Sequence, residues 1–300
     1  MQEQLFSPKD LQVLKAEKLQ IAARRKKDSS LKLLFIAATS IGILALILLL
    51  ATILVDGLSS LTPDLFKNYP SRRAASSGLK SAFVGTIYMV LIMVPISFLI
   101  GVGAAIFMQE YAKKGWITKI IQLNISTLAG VPSIVYGILG LTIFVRGMQL
   151  DRSLLSGALT MSLLVLPVII VSAQEAIKAV PNTRREASLA LGATKWQTVH
   201  RTVLPSAMPG ILTGVILAVS RAIGETAPLV MIGALTYVAF LPDNVLDQFT
   251  VMPIQIYNWI SKPQTEFHDL AAAGIIVLLV MLLVLNMIAV ILRNRFQKNL

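Results

Sequence analysis

The sequence predicts an all-α, polytopic membrane protein with six transmembrane helices and one structured cytoplasmic loop. Three observations predict it. Only 14% of residues are charged and 55% are hydrophobic, against about 25% charged in soluble domains. Six apolar runs lie at 33–55, 82–108, 121–145, 153–173, 206–235 and 271–292. Each supplies the roughly 20 apolar residues that a helix needs to cross the hydrocarbon core. Lys and Arg are spread unevenly over the segments between these runs.

The tail, residues 1–32, is polar and carries RRKK at 24–27. The run that follows is too long, and begins too late, for an ordinary cleaved signal, and reads as a retained span. In the tail Leu11, Val13, Leu14, Leu19 and Ile21 sit among lysines. That pattern suits an interfacial amphipathic helix and a disordered basic tail equally. With both termini cytoplasmic, the inside segments hold 19 of the 27 Lys and Arg. The outside segments, 56–81, 146–152 and 236–270, hold 7, and the last is Arg221, inside the fifth span. The positive-inside rule favours that orientation. A net charge of +12 would suggest nucleic acid in a soluble chain. Here the cations flank spans, so membrane lipid is the expected neighbour and no nucleic acid is expected. The absence of cysteine excludes disulfides, thiolate chemistry and cysteine metal sites.

Prolines 95, 132, 167, 209 and 228 lie in or at the ends of spans. Membrane helices tolerate them where neighbours satisfy the freed carbonyls. Gly210 and Gly214 form a GxxxG pair that permits close helix contact.

The longest inside loop, QEAIKAVPNTRREASLALGATKWQTVHRTVLP at 174–205, is more than a connector. Thr183 to Leu191 suits a helix that Gly192 ends or turns. Thr194 to Val203 suits a second helix, stopped by Pro205. Ala187, Ala190, Leu191, Trp196, Val199 and Val203 give an apolar side. Arg184, Arg185, Glu186 and Lys195 give a polar one. Two such helices fit a groove on another protein, or lie flat on the membrane surface.

The loop resembles the EAA loop of ABC-importer permeases, whose pattern is E-A-A, three residues, G, nine residues, I-x-L-P. Glu186, Ala187, Ser188, Gly192, Thr202, Leu204 and Pro205 stand at that spacing, with Ser188 and Thr202 departing from it. The resemblance implies that Glu186, Ala187, Gly192, Leu204 and Pro205 belong to an element that docks on an ATPase subunit. An acidic residue near a helix start and a glycine turn would suit such an element.

The fifth span holds an unexpected pair. An ionisable residue at mid-bilayer costs about 2.5–3.5 kcal/mol on insertion scales. Arg221 is sixteen residues into a span starting near 206, so it is expected at or past the middle. Glu225 follows at i+4, where the two side chains can meet. The pair either neutralises itself or marks a pathway, and two apolar residues would insert without its cost. Arginine is a planar fork suited to tetrahedral oxyanions. Ser220 and Thr226 add hydroxyls. Glu225 repels a bare anion but accepts a hydrogen bond from a protonated one, which favours phosphate over sulfate.

SRAIGETAPL at 220–229 and LAGVPSIVYG at 128–137 resemble the fifth-helix and third-helix segments of phosphate-specific ABC permeases. GETAPL, and MPIQIYNWISKP at 252–263, resemble one permease subunit type, PstA, more than its PstC-type partner. The resemblance implies a type I ABC importer permease fold. Its permease domain spans 80–292, with a coupling loop at 183–205 and a cytoplasmic tail at 293–300. It also implies a bacterial inner-membrane location, a PstC-type second permease, a PstB-type ATPase dimer and a PstS-type phosphate-binding protein. Arg221 and Glu225 then correspond to the family's phosphate-passage charges. The chain contains no G-x-x-x-x-G-K-[ST] loop. ATP and its magnesium are therefore expected on a partner subunit, with no cofactor on this chain and no enzyme activity of its own.

A permease for sulfate or molybdate keeps the class and changes the cargo. A secondary transporter should show repeats and further titratable groups. A channel should show a filter. An enzyme would have to use His200, His268, Glu266 and Asp269, and the two histidines fall on opposite sides of the membrane.

Overall fold

A chain segment in hydrocarbon must satisfy its own N–H and C=O groups, and an apolar run does so only as a helix. The computed structural model describes the backbone of residues 8–113, 115–234 and 237–298, and the side chains of residues 31–113, 115–234 and 237–295. It separates into two units, Met1–Val55 and Asp56–Leu300.

The described residues of the first unit, 8–55, belong to α1 (Pro8–Leu58). The tail and the first span, expected as separate segments, form one continuous helix, because no glycine or proline interrupts residues 9–41. Residues 31–49 expose apolar side chains on every side, the signature of a helix surrounded by lipid. Whether the tail's apolar residues form an interfacial face lies outside the described side chains.

The second unit begins with α2 (Pro63–Lys67) and α3 (Lys80–Ile106), which continues through a π-helical turn to Tyr111. Then come α4 (Trp116–Leu128), α5 (Ser133–Gly140) with a π-helical turn to Gly147, and α6 (Leu154–Lys178). The loop supplies α7 (Asn182–Ala190) and α8 (Lys195–Thr198). The chain closes with α9 (Leu204–Ile223), α10 (Ala227–Ile232), α11 (Met252–Ile260) and α12 (Thr265–Lys298). No strand occurs among the described residues.

The core is a layer of three helices, with α6 between α3 and α9. Met93, Met161, Ile169 and Ile211 meet in it and are fully buried. Gly210 and Gly214 lie on the α6–α9 seam. A Cβ on Gly210 would stand 2.8 Å from Ala176 Cβ, and one on Gly214 would overlap Ser172 Cβ. The GxxxG pair is thus a packing face, where backbones approach closely enough for van der Waals contact. A second apolar cluster of Leu65, Leu79, Trp259 and Phe267 joins α2, α11 and the start of α12.

Two expected spans are corrected. The third, 121–145, is broken: α4 and α5 meet at a bend of 106° across residues 129–132. Pro132 lacks an N–H and disfavours helical backbone at Val131, so the turn closes on Leu128 and Thr127 carbonyls instead. The fifth, 206–235, ends at Ile223. Gly224 caps it, and Ala227 begins the separate α10, with Pro228 in its first turn. At its other end α9 continues α8 through a π-helical turn at Val199–Val203, making one rod from Lys195 to Ile223. Pro205 does not stop that helix. It occupies the first turn of α9, and the π-helical turn before it takes up the carbonyl that a proline displaces.

Candidate functional site

Both helix breaks come together. Gly137 of α5 lies against Pro228 and Met231 of α10, so the turn at 129–132 and the turn at 224–226 belong to one region. Tyr136 is buried there and donates its hydroxyl to the Leu128 carbonyl at 2.8 Å, pinning the first turn. Beside it a narrow cavity of about 30 Å³ is lined by Leu128, Tyr136, Val165, Ala218, Arg221 and Ala222. That holds about one water and no tetrahedral oxyanion.

Arg221 sits in the last turn of α9, and Glu225 follows the helix end. The Glu225 N–H still bonds the Ala222 carbonyl, which keeps the pair within reach across the break. Arg221 Nε lies 3.6 Å from Glu225 Oε1. That single contact is longer than a hydrogen bond. Among the described residues the guanidinium makes no hydrogen bond, so both of its terminal amino groups are free. The Arg221 side chain is 70% exposed and that of Glu225 21% exposed. The charge therefore points out of its own helix layer. Ser220 is not brought to the pair. Its hydroxyl lies within hydrogen-bond reach of the Ile216 carbonyl and of Asn286 Oδ1 of α12, and its one proton can serve either acceptor, a polar tie between helices. Thr226 is half-buried at the start of α10, and its side chain caps nothing there.

A second arginine shows the contrast. Arg185 of α7 is 18% exposed and contacts Glu110, 11% exposed, at 3.0 Å from Nη2 and 3.2 Å from Nε. Its other bonds go to the carbonyls of Val180 at 2.6 Å and Ile177 at 2.8 Å, and to Asn182 Oδ1. The loop is thereby fastened to the ends of α3 and α6. Sequence reasoning placed Arg185 only on a polar side and passed over Glu110. The available signal was that Glu110 is the one acid in the inside segment 109–120.

The loop itself folds largely as expected. α7 ends where Gly192 takes φ +83°, a left-handed turn that a side chain would strain. Thr194 caps α8 reciprocally with Gln197. Ser188, the departure from the family pattern, shares a hydrogen bond with Thr198 at 3.0 Å and ties α7 to α8. Glu186 is fifth in α7, beyond the first turn, so the helix-dipole reason for it fails. The predicted apolar side divides: Val199 and Val203 are buried beneath, Ala187, Leu191 and Trp196 are exposed. Leu191 is 89% and Trp196 63% exposed, an apolar ridge facing away from the chain. Leu204 and Pro205 are half-buried at the start of α9.

Residues 97–300, including the loop and the charged pair, match the family of binding-protein-dependent transport system inner membrane components. The chain belongs to this family. It is 30% identical to the phosphate transport system permease protein PstA of Yersinia pestis, over 93% of this chain and 94% of that one. It is 32% identical to the probable ABC transporter permease YqgI of Bacillus subtilis, over 84% and 90%, and 32% identical to PstA of Haemophilus influenzae, over 82% and 86%. Its fold resembles that of a chain of the MetNI methionine ABC transporter in an inward-facing conformation, with TM-score 0.54 and 18% identity over 72% of this chain and 92% of that one. A bacterial ABC importer of alginate gives the same TM-score and identity over 72% and 78%. The helical layer described above is therefore that of an ABC importer permease, a multi-pass component of the inner membrane.

Proposed function

We propose that this permease carries inorganic phosphate across the membrane, with Arg221 and Glu225 on the path. The observation that carries the reading is the free, outward-facing fork of Arg221. A guanidinium at the end of an apolar helix is too costly to leave in lipid. It has to face a second subunit or an aqueous route. Its unused amino groups suit a bidentate grip on a tetrahedral oxyanion. Glu225, less exposed, is placed to accept a hydrogen bond from the hydroxyl of hydrogen phosphate and to repel an unprotonated anion. The phosphate permeases among the relatives support the same cargo.

In this reading a PstC-type permease completes the path opposite Arg221. A PstS-type protein delivers phosphate outside. A PstB-type ATPase dimer, binding ATP and magnesium, docks on Glu186, Ala187, Leu191 and Trp196, with Gly192 setting the turn. Leu204 and Pro205 pass the motion into α9. Both termini are then cytoplasmic, as the charge distribution favours, and ATP is hydrolysed by the partner.

The test is ATP-dependent uptake of labelled phosphate and sulfate by the assembled complex in proteoliposomes, wild type beside Arg221→Ala. Selective phosphate uptake that the substitution lowers by at least about a hundredfold, roughly the loss of one charged hydrogen-bonded contact, is the expected result. Equal uptake of sulfate would move the cargo to oxyanions in general. Full uptake by the variant, with assembly intact, would make the pair structural.

A further inference from the structure

The segment MPIQIYNWISKP at 252–263 has no part in the charged pair or the coupling loop. It folds as α11 and the turn after it, and its two faces differ. Met252, Ile256 and Trp259 are buried in the cluster with Leu65, Leu79 and Phe267. Gln255, Asn258 and Lys262 follow at i, i+3 and i+7 and share the other face. That face lines a cavity of about 850 Å³ that Arg72 and Arg73 also line.

Among the described residues three cations border this cavity, and none of the residues lining it is acidic. Neither arginine makes an ion pair among the described residues, although both also border a neighbouring cavity that holds Asp64, Glu266 and Asp269. Gln255 is only 6% exposed, yet its side chain has no hydrogen-bond partner among the described residues. Its amide atoms open on the cavity, where an oxyanion could take the place of water as their partner. Lys262 lies 3.5 Å from the centre of the Phe267 ring and 3.5 Å from the Ser71 carbonyl. Burial holds its ammonium below the ordinary lysine range. The arginine wall is preformed: the Ser71 hydroxyl accepts from the Arg73 N–H and from Ser76, and the Ser71 N–H donates to Ser77.

We propose that this cavity is an external staging site for phosphate, in which Arg72, Arg73 and Lys262 concentrate the anion and Gln255 and Asn258 hold it before it moves toward Arg221. The site rests on the phosphate-importer reading and on the outside assignment of segments 56–81 and 236–270. A concave wall with one sign of charge focuses field lines and raises local anion concentration. A docking surface for a protein partner would need no buried amide turned into a hollow.

The test uses the complete complex in proteoliposomes, with inorganic phosphate as probe and the binding protein titrated to saturation. Wild type is compared with the triple variant Arg72→Gln, Arg73→Gln, Lys262→Gln, and with Gln255→Glu, which puts a like charge in the cavity with little change of shape. Both variants should lose uptake by at least about tenfold at saturating binding protein. The binding-protein concentration that half-saturates ATPase activity should stay as in wild type. Unchanged uptake in both variants overturns the proposal. Wild-type uptake at saturation with a raised half-saturating concentration also overturns it, and assigns the surface to docking. Should the triple variant fail to assemble, Gln255→Glu alone decides by the same criteria. A wild-type complex that carries no phosphate defeats the importer reading itself, an outcome separate from the other two.

Discussion

Replacing Glu110 with alanine should destabilise the permease by about 2–4 kcal/mol. Removing one member of a buried ion pair costs about 3–5 kcal/mol, because the partner charge is left without compensation. The pair here is slightly exposed, 18% at Arg185 and 11% at Glu110. Arg185 also keeps its bonds to the Ile177 and Val180 carbonyls, so the loss falls toward the lower end. The assay is reversible unfolding of the purified chain in mixed micelles by denaturing detergent. It is run on wild type, Glu110→Ala, Arg185→Ala and the double variant. The two residues act on one bond, so the double variant should cost less than the summed single costs by about 1–3 kcal/mol. Additivity within about 0.5 kcal/mol, or a loss below that for Glu110→Ala, would refute the account of Arg185 as a saturated clamp. In the assembled complex the same variant should hydrolyse ATP with less phosphate moved per ATP, since the loop is no longer fastened to α3.

Gly214→Leu should push α6 and α9 apart, because even a Cβ there overlaps Ser172. The expected loss is about 1–3 kcal/mol in the same unfolding assay, and a variant as stable as wild type would deny the close seam. Trp196→Ala and Leu191→Asp should each weaken capture of the ATPase subunit by the solubilised permease about tenfold or more, as truncating an interface anchor does. The isolated permease should keep its wild-type melting temperature, because both side chains are exposed. Retained capture would place the ridge on the membrane surface instead.

The number and order of apolar segments, the loop's two helices, its glycine turn and the meeting of Arg221 with Glu225 were all legible in the residues. Each depends on a local rule: span length, proline and glycine chemistry, or i+4 spacing. The GxxxG pair showed only that close approach was permitted. That Gly210 and Gly214 face Ala176 and Ser172 depends on which helix lies beside α9. Continuous spans three and five were expected because hydropathy averages over a window and does not register a turn. The backbone at Pro132 and Gly224 breaks both.

The charge and hydropathy pattern by itself determined that this chain is an all-α membrane protein with a structured loop, because the cost of burying polar backbone or charge in lipid acts on each segment alone. Only the tertiary structure decided which arginine is free and which is bound. Arg185 and Arg221 are the same side chain with a glutamate close by in the sequence, Glu186 next to the first and Glu225 four residues after the second. Arg185 ignores its neighbour in favour of Glu110, 75 residues away, and of carbonyls at the end of α6. Arg221 keeps its own neighbour loosely and turns its fork outward. Hydrogen-bond saturation depends on contacts between distant segments, so no local pattern reports it.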